Sequence, residues 1–185
     1  MLELVLVLSA GLGSPALACS ETPSSSGYHI SDVCSASLEG APAYSATFGA
    51  SLSPEPASQQ VMIYRRGDAW FMRIAGYRWE RGSTVVTRRR DDIAVSDVDA
   101  QALVSRLTRR ALKQLSELPY YGSEDVICTD GASLELAMAS GGRKFRAAQH
   151  SCAGKTRMNE IATIFRQIAL KYDPEFADLL SGLKN

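Results

Sequence analysis

At 185 residues, with 45% hydrophobic and 22% charged side chains, the chain is long enough for a domain with a real core and too apolar to be disordered throughout. Twenty basic side chains balance twenty acidic ones, which excludes a global pull toward nucleic acid or an anionic membrane. Any charge-based function must be local.

The chain opens with an apolar run from Leu4 to Leu12, broken by Gly13-Ser14-Pro15 and followed by Ala16-Leu17-Ala18, a small-residue A-x-A site. Residues 1–18 therefore read as a secretory signal peptide, too short in its apolar part to anchor in a bilayer, although Glu3 stands where a basic residue is usual. The alternative for this stretch is a buried N-terminal strand or helix. Export implies a periplasmic or secreted, oxidising location, where Cys19, Cys34, Cys128 and Cys152 suggest disulfides. Chain order favours Cys19 with Cys34 and Cys128 with Cys152. Neither spacing is a C-x-x-C pair, so no metal is expected. "ALAC", residues 16–19, resembles the lipobox of bacterial lipoproteins, departing from it at Ala16 and Leu17. That resemblance implies acylation of Cys19, the one route by which membrane attachment is expected.

Residues 19–59 are dominated by Ser, Pro, Ala and Gly and read as a tether, ordered at most near Cys34 and over Tyr44 to Leu52. A single α+β domain is expected over 60–185. It begins as a β-meander: "QVMIYRR", "DAWFMRIAGYRWE" and "STVVTRRR" are separated by Gly67-Asp68 and Arg81-Gly82. The period then changes. Leu103, Leu107, Ala111, Leu115 and Leu118 recur at helical spacing, with Asp97 and Asp99 near the start and Pro119 at the end. Three more strands follow, "EDVICTD", "ASLELAMAS" and "RKFRAAQHSC", and then a helix striped by Met158, Ile161, Ala162, Phe165, Ile168, Ala169 and Tyr172. Asp173-Pro174 breaks it before a short amphipathic helix through Phe176 and Leu183. The expected architecture is antiparallel β-meanders with two main amphipathic helices packed on one face, plus a short C-terminal helix.

Asp130-Gly131 and Gly141-Gly142 both suit two-residue hairpin turns. Taken literally, they pair Thr129 with Ala132 and Ser140 with Arg143. Ile127, Leu134, Leu136, Met138, Phe145 and Ala147 then share one face, and Cys128, Ser133, Glu135, Ala148, His150 and Cys152 the other. Cys152 can curl over the turn to reach Cys128, closing a loop whose bridge contributes about 3 kcal/mol.

Two surfaces could carry function. His150, Asp130, Ser133, Ser151 and Glu135 lie near one end of that sheet, and a histidine with a carboxylate and a hydroxyl could form a hydrolytic triad, but no G-x-S-x-G elbow positions a nucleophile. The meander carries Arg65, Arg66, Arg73, Arg78, Arg81, Arg88, Arg89 and Arg90 interleaved with Tyr64, Trp70, Phe71, Tyr77 and Trp79. Guanidinium forks suit carboxylate, sulfate and phosphate, and rings offer stacking surface. An acidic protein, anionic glycan or lipid headgroup is therefore the partner class expected at Arg65, Arg73, Arg78, Arg88, Arg89, Arg90, Trp70 and Trp79. The competing reading is a solvated face whose arginines deter edge-to-edge pairing, with the aromatics in the core. "DDIAVSDVD" lacks the glycine and glutamate of a calcium loop, no nucleic-acid reader motif occurs, and no cofactor is expected. Leader, tether and small stapled domain together resemble the small secreted and lipoprotein-like proteins of Gram-negative bacteria, a likeness of architecture that implies compartment alone. The reading favoured is a non-enzymatic exported binding domain; a secreted hydrolase using His150 and a structural envelope lipoprotein held by Cys19 are the alternatives.

Overall fold

The computed structural model describes residues 17–19, 33–36, 41–50, 58–81, 83–122 and 131–176. Its elements are β1 (Leu17–Ala18), α1 (Val33–Ala36), β2 (Ala43–Ala50), β3 (Ser58–Arg66), β4 (Ala69–Glu80), β5 (Ser83–Val95), α2 (Asp97–Val104), α3 (Arg109–Ser116), β6 (Ala132–Ser140), β7 (Arg143–His150) and α4 (Arg157–Tyr172). All strands join one antiparallel sheet in the order β1-β7-β6-β2-β3-β4-β5. The fold is α+β, as the alternation of strand and helix periods implies.

The β6–β7 hairpin forms in the expected register. Gly141 and Gly142 both adopt positive φ, 58° and 68°, which a type I′ turn demands at both central positions, and Ser140 pairs with Arg143. Leu134, Leu136, Met138 and Ala147 are buried on one face with Phe145 packed beside them. That face joins Tyr44, Phe48, Val61, Ile63, Trp70, Met72 and Ile74 from the neighbouring strands, and α2, α3 and α4 cover it. The stripe on α4 is the one its spacing predicts: Met158, Ile161, Phe165 and Ile168 are buried, each contributing roughly 1.5–3 kcal/mol by removal from water. The opposite face carries a smaller cluster of Val33, Ala43, Met62, Tyr64, Ala137 and Ala139. Val33 brings α1 onto it.

Three expectations are revised. The tether ends sooner than residue 59, because Ala43–Ala50 is an inner strand paired with β3 along one edge and β6 along the other; the folded part therefore starts before residue 60. The helix expected from Asp97 to Leu118 is two helices, since Thr108 leaves the helical conformation (φ −91°, ψ 163°) and its side chain caps α3 by accepting from the Ala111 N–H at 3.2 Å. Third, β6 is paired with β2 over Ala132 to Ala139, the edge expected to receive residues 124–130. That segment, with Thr129, Asp130 and Cys128, lies outside the described residues. So do residues 177–185 of the expected C-terminal helix; Phe176, just before them, is fully buried in the core.

Candidate functional site

The arginine-rich meander has two unlike faces. Alternation sends Trp70 to the helix side, where it is buried 6.2 Å from the Tyr44 ring, so this residue belongs to the core and is not presented to a partner. Arg90 also serves the fold, pairing through Nη1 with the buried carboxylate of Asp173 at 2.9 Å, beyond the end of α4. On the other face Tyr64 and Phe71 are cross-strand partners, stacked with centroids 6.2 Å apart. The Arg66 guanidinium lies 5.6 Å from the Tyr64 centroid and 5.4 Å from that of Phe71, and Arg73 lies 5.7 Å from Tyr64. These are cation–π distances.

Carboxylates complete the cluster. Asp92, at a bulge residue with φ 56°, accepts from Arg66 at 3.1 Å and from the Tyr64 hydroxyl. Asp91 pairs with Arg73, and Arg65 reaches Asp68 at 3.4 Å. Burial, and then the hydrogen bond to Asp92, push the Tyr64 pKa up. The Tyr64 hydrogen bond in turn holds the Asp92 carboxyl below the usual carboxylate range. Asp91-Asp92 thus neutralises Arg73 and Arg66, residues brought alongside by the sheet. Arg78 is exposed. Arg88 and Arg89 lie on β5 opposite Gly76 and Ala75, and Trp79 on β4 opposite Thr84; the side chains of these three lie outside the described residues.

His150 is a buried residue of a different kind. Its Nδ1 accepts from the Cys152 backbone N–H at 3.3 Å, the His150 backbone N–H donates to the Tyr120 carbonyl at 2.8 Å, and the Tyr121 and Tyr120 rings lie 5.2 and 5.8 Å from the imidazole. Gly131, at φ 143°, approaches so closely that a Cβ there would stand 2.6 Å from the His150 Cε1. Nδ1 thus acts as a hydrogen-bond acceptor. A triad histidine needs the reverse, Nδ1–H held by a carboxylate and Nε2 turned to the hydroxyl. Ser133 is the Cα partner of His150 across β6 and β7, yet its Oγ lies against Gly49 on β2. Asp130 is outside the described residues. Sequence reasoning did not single out Tyr120 and Tyr121, whose only signal was their place directly after Pro119.

Cys19 is bridged to Cys34, with Cα atoms 5.4 Å apart, as chain order suggested. Cys152 is disulfide-bonded too; its expected partner, Cys128, is outside the described residues. Among the described residues no group of His, Cys, Asp and Glu could hold a metal ion, and no helix is long and apolar enough to cross a membrane. Compared with family models, with curated proteins and with solved structures, the chain finds no match.

Proposed function

We propose that this chain is an exported, disulfide-stabilised binding domain that takes an acidic protein partner on the arginine and aromatic face of β3, β4 and β5. The observation that carries this reading is Arg66, whose side chain is 56% exposed while its guanidinium lies over the stacked Tyr64 and Phe71 rings. Arginine and tyrosine anchored on a rigid sheet are the residue types that dominate interface energetics, because little side-chain freedom is lost on binding. Asp92 and Asp91 already meet Arg66 and Arg73, so an incoming carboxylate must share these cations, and the attraction is short-ranged and salt-sensitive. A protein is favoured over a glycan or lipid headgroup because β5 ends the order of the described strands, and the backbone groups of such an edge can pair with a polypeptide.

The other readings have less support. A hydrolase centred on His150 needs Nδ1 for a carboxylate, and the Cys152 N–H occupies it. A lipid anchor at Cys19 competes with Cys34 for one sulfur. The test is capture of a partner from extracytoplasmic fractions by the wild-type chain and by the triple variant Arg66→Glu, Arg88→Glu, Arg89→Glu. The variant is expected to lose an acidic partner while still folding cooperatively, and Lys113→Glu on α3 to retain it. A partner held equally well by the triple variant would end this reading.

A further inference from the structure

On the meander, Arg65, Arg66, Arg73 and Arg90 each meet a carboxylate. Along α3 and β7 the balance is different. From Ser105 to Pro119 four Lys or Arg side chains face one acidic residue, Glu117, and from Leu136 to Asn159 five face none. Arg109, Arg110, Lys113 and Arg143 are exposed, and no carboxylate among the described residues pairs with any of them. The fold gathers these four. Ala111, Leu112 and Leu115 are buried, so a helical step of about 100° per residue puts Arg109, Arg110 and Lys113 on one outward arc. The Arg109 Nη2 donates to the carbonyl and to the Oγ of Ser140, each at 3.3 Å, and Arg143 is the Cα partner of Ser140. Arg109 and Arg143 thus flank the same Gly141-Gly142 turn. Cations one turn apart repel, and Arg109 and Arg110 open α3, where the helix dipole disfavours positive charge. Local stability does not account for the grouping.

At its far end α3 leads into Leu118, Tyr120 and Tyr121, which are 49%, 38% and 41% exposed. The tyrosines are held in place: the Tyr120 carbonyl accepts from the backbone N–H of His150, the last residue of β7, at 2.8 Å, and both rings lie against the imidazole. The segment from Arg109 to Tyr121 therefore runs along β7 from its first residue to its last, with cations at one end and exposed leucine and tyrosine at the other. We propose that this edge of the domain docks reversibly on an anionic bilayer surface. Headgroup phosphates form a continuous anionic plane that can meet cations spread over a helix and a hairpin, whereas a compact ligand needs a pocket. Tyrosine suits the headgroup boundary, where its ring meets apolar chains and its hydroxyl stays wet. Attachment of this kind is released by salt, unlike an acyl chain on Cys19. It is independent of the partner surface proposed above, since β7 lies toward one end of the strand order and β5 at the other.

Co-sedimentation of the full chain with vesicles of phosphatidylcholine alone, and of phosphatidylcholine containing about one-third phosphatidylglycerol, tests this. Binding is expected to the anionic vesicles only, with release at about 1 M salt, where the screening length falls to about 3 Å. A cation near such a surface strengthens binding about fivefold, so Arg110→Gln, Lys113→Gln and Arg143→Gln together should weaken it about a hundredfold. Arg66→Gln, Arg88→Gln and Arg89→Gln together remove the same charge elsewhere and should change it by less than about threefold. If the first triple variant fails to fold, Lys113→Glu alone decides, with a loss of at least about fivefold expected. Equal binding to neutral vesicles, no binding to anionic ones, or equal losses in the two triple variants overturns the proposal. So does capture of polyglutamate through Arg110, Lys113 and Arg143 without vesicle binding, which would assign an acidic protein to this edge.

Discussion

Asp99 ties the start of α2 to the end of α4. Its carboxylate accepts from Lys171 Nζ at 2.7 Å, from the Tyr172 hydroxyl at 2.5 Å and from Ser96 Oγ at 2.7 Å, and these bonds, Lys171 first, hold its pKa down at about 2. A carboxylate whose pKa is depressed by folding stabilises the fold above its unfolded value of 3.8 and loses that contribution as pH falls toward the folded value. Asp99→Asn is therefore expected to lower stability by about 1–2 kcal/mol at neutral pH, with the difference from wild type shrinking between 3.8 and about 2 when melting is followed against pH. A gap that stays constant over that window would mean the carboxylate is not the source. Arg90 offers a second test. Removing it leaves Asp173 buried without that ion pair, so Arg90→Ala should cost about 2 kcal/mol, below the usual figure for a buried pair because Arg90 is itself half-exposed. If Arg90 served only a partner, the variant would melt like the wild type.

Among the elements, those with large side chains at a clean period were legible: the meander, the β6–β7 hairpin and the α4 stripe. β2 was not, and the reason is physical. "AYSATFGA" is packed on both faces and hydrogen-bonded on both edges, so it is served by small residues, and Ala43 and Ala46 at 0% exposure look compositionally like a tether. Phe48→Ala discriminates the two: about 3–4 kcal/mol is expected if the residue sits in the core, and nothing if it lies in a linker, as read from denaturant midpoints at constant slope. The break between α2 and α3 was hidden because Leu107 keeps the helical spacing of Leu103 and Ala111, while Thr108 is a plausible interior residue that becomes an N-cap only when the backbone turns. Thr108→Ala should cost about 1 kcal/mol for the lost cap, and would cost almost nothing in a continuous helix. The candidate site was legible as composition and not as geometry. Sequence flagged arginines and aromatics, but which arginine lies over a ring and which anchors a helix depends on the bulge at Asp92 and on strand alternation.

For the whole molecule, the N-terminal bridge decides how the chain is presented. Leu17 and Ala18 pair with Lys144 and Arg143 at the start of β7, and the Cys19 N–H donates to the Gly142 carbonyl at 2.9 Å. Cleavage after Ala18 would remove β1 and leave that hydrogen bond and the Cys34 bridge to hold the new terminus. The bridge closes a loop with a sequence separation of 15 residues, which contributes about 3 kcal/mol by restricting the unfolded chain, and it keeps Val33 over Ala43, Met62, Ala137 and Ala139. Disulfide and lipid anchor exclude each other, because each consumes the one sulfur of Cys19. The intact mass of the chain from soluble and membrane fractions, before and after reduction and alkylation, separates them. A soluble chain beginning at Cys19, with every cysteine alkylated only after reduction, is the expected result, and it should melt at a lower temperature once Cys34→Ser opens the bridge. A membrane-bound chain bearing diacylglycerol on Cys19, with Cys34 alkylated before reduction, would instead place the arginine face at a bilayer and turn the search for the proposed acidic partner to proteins of that surface.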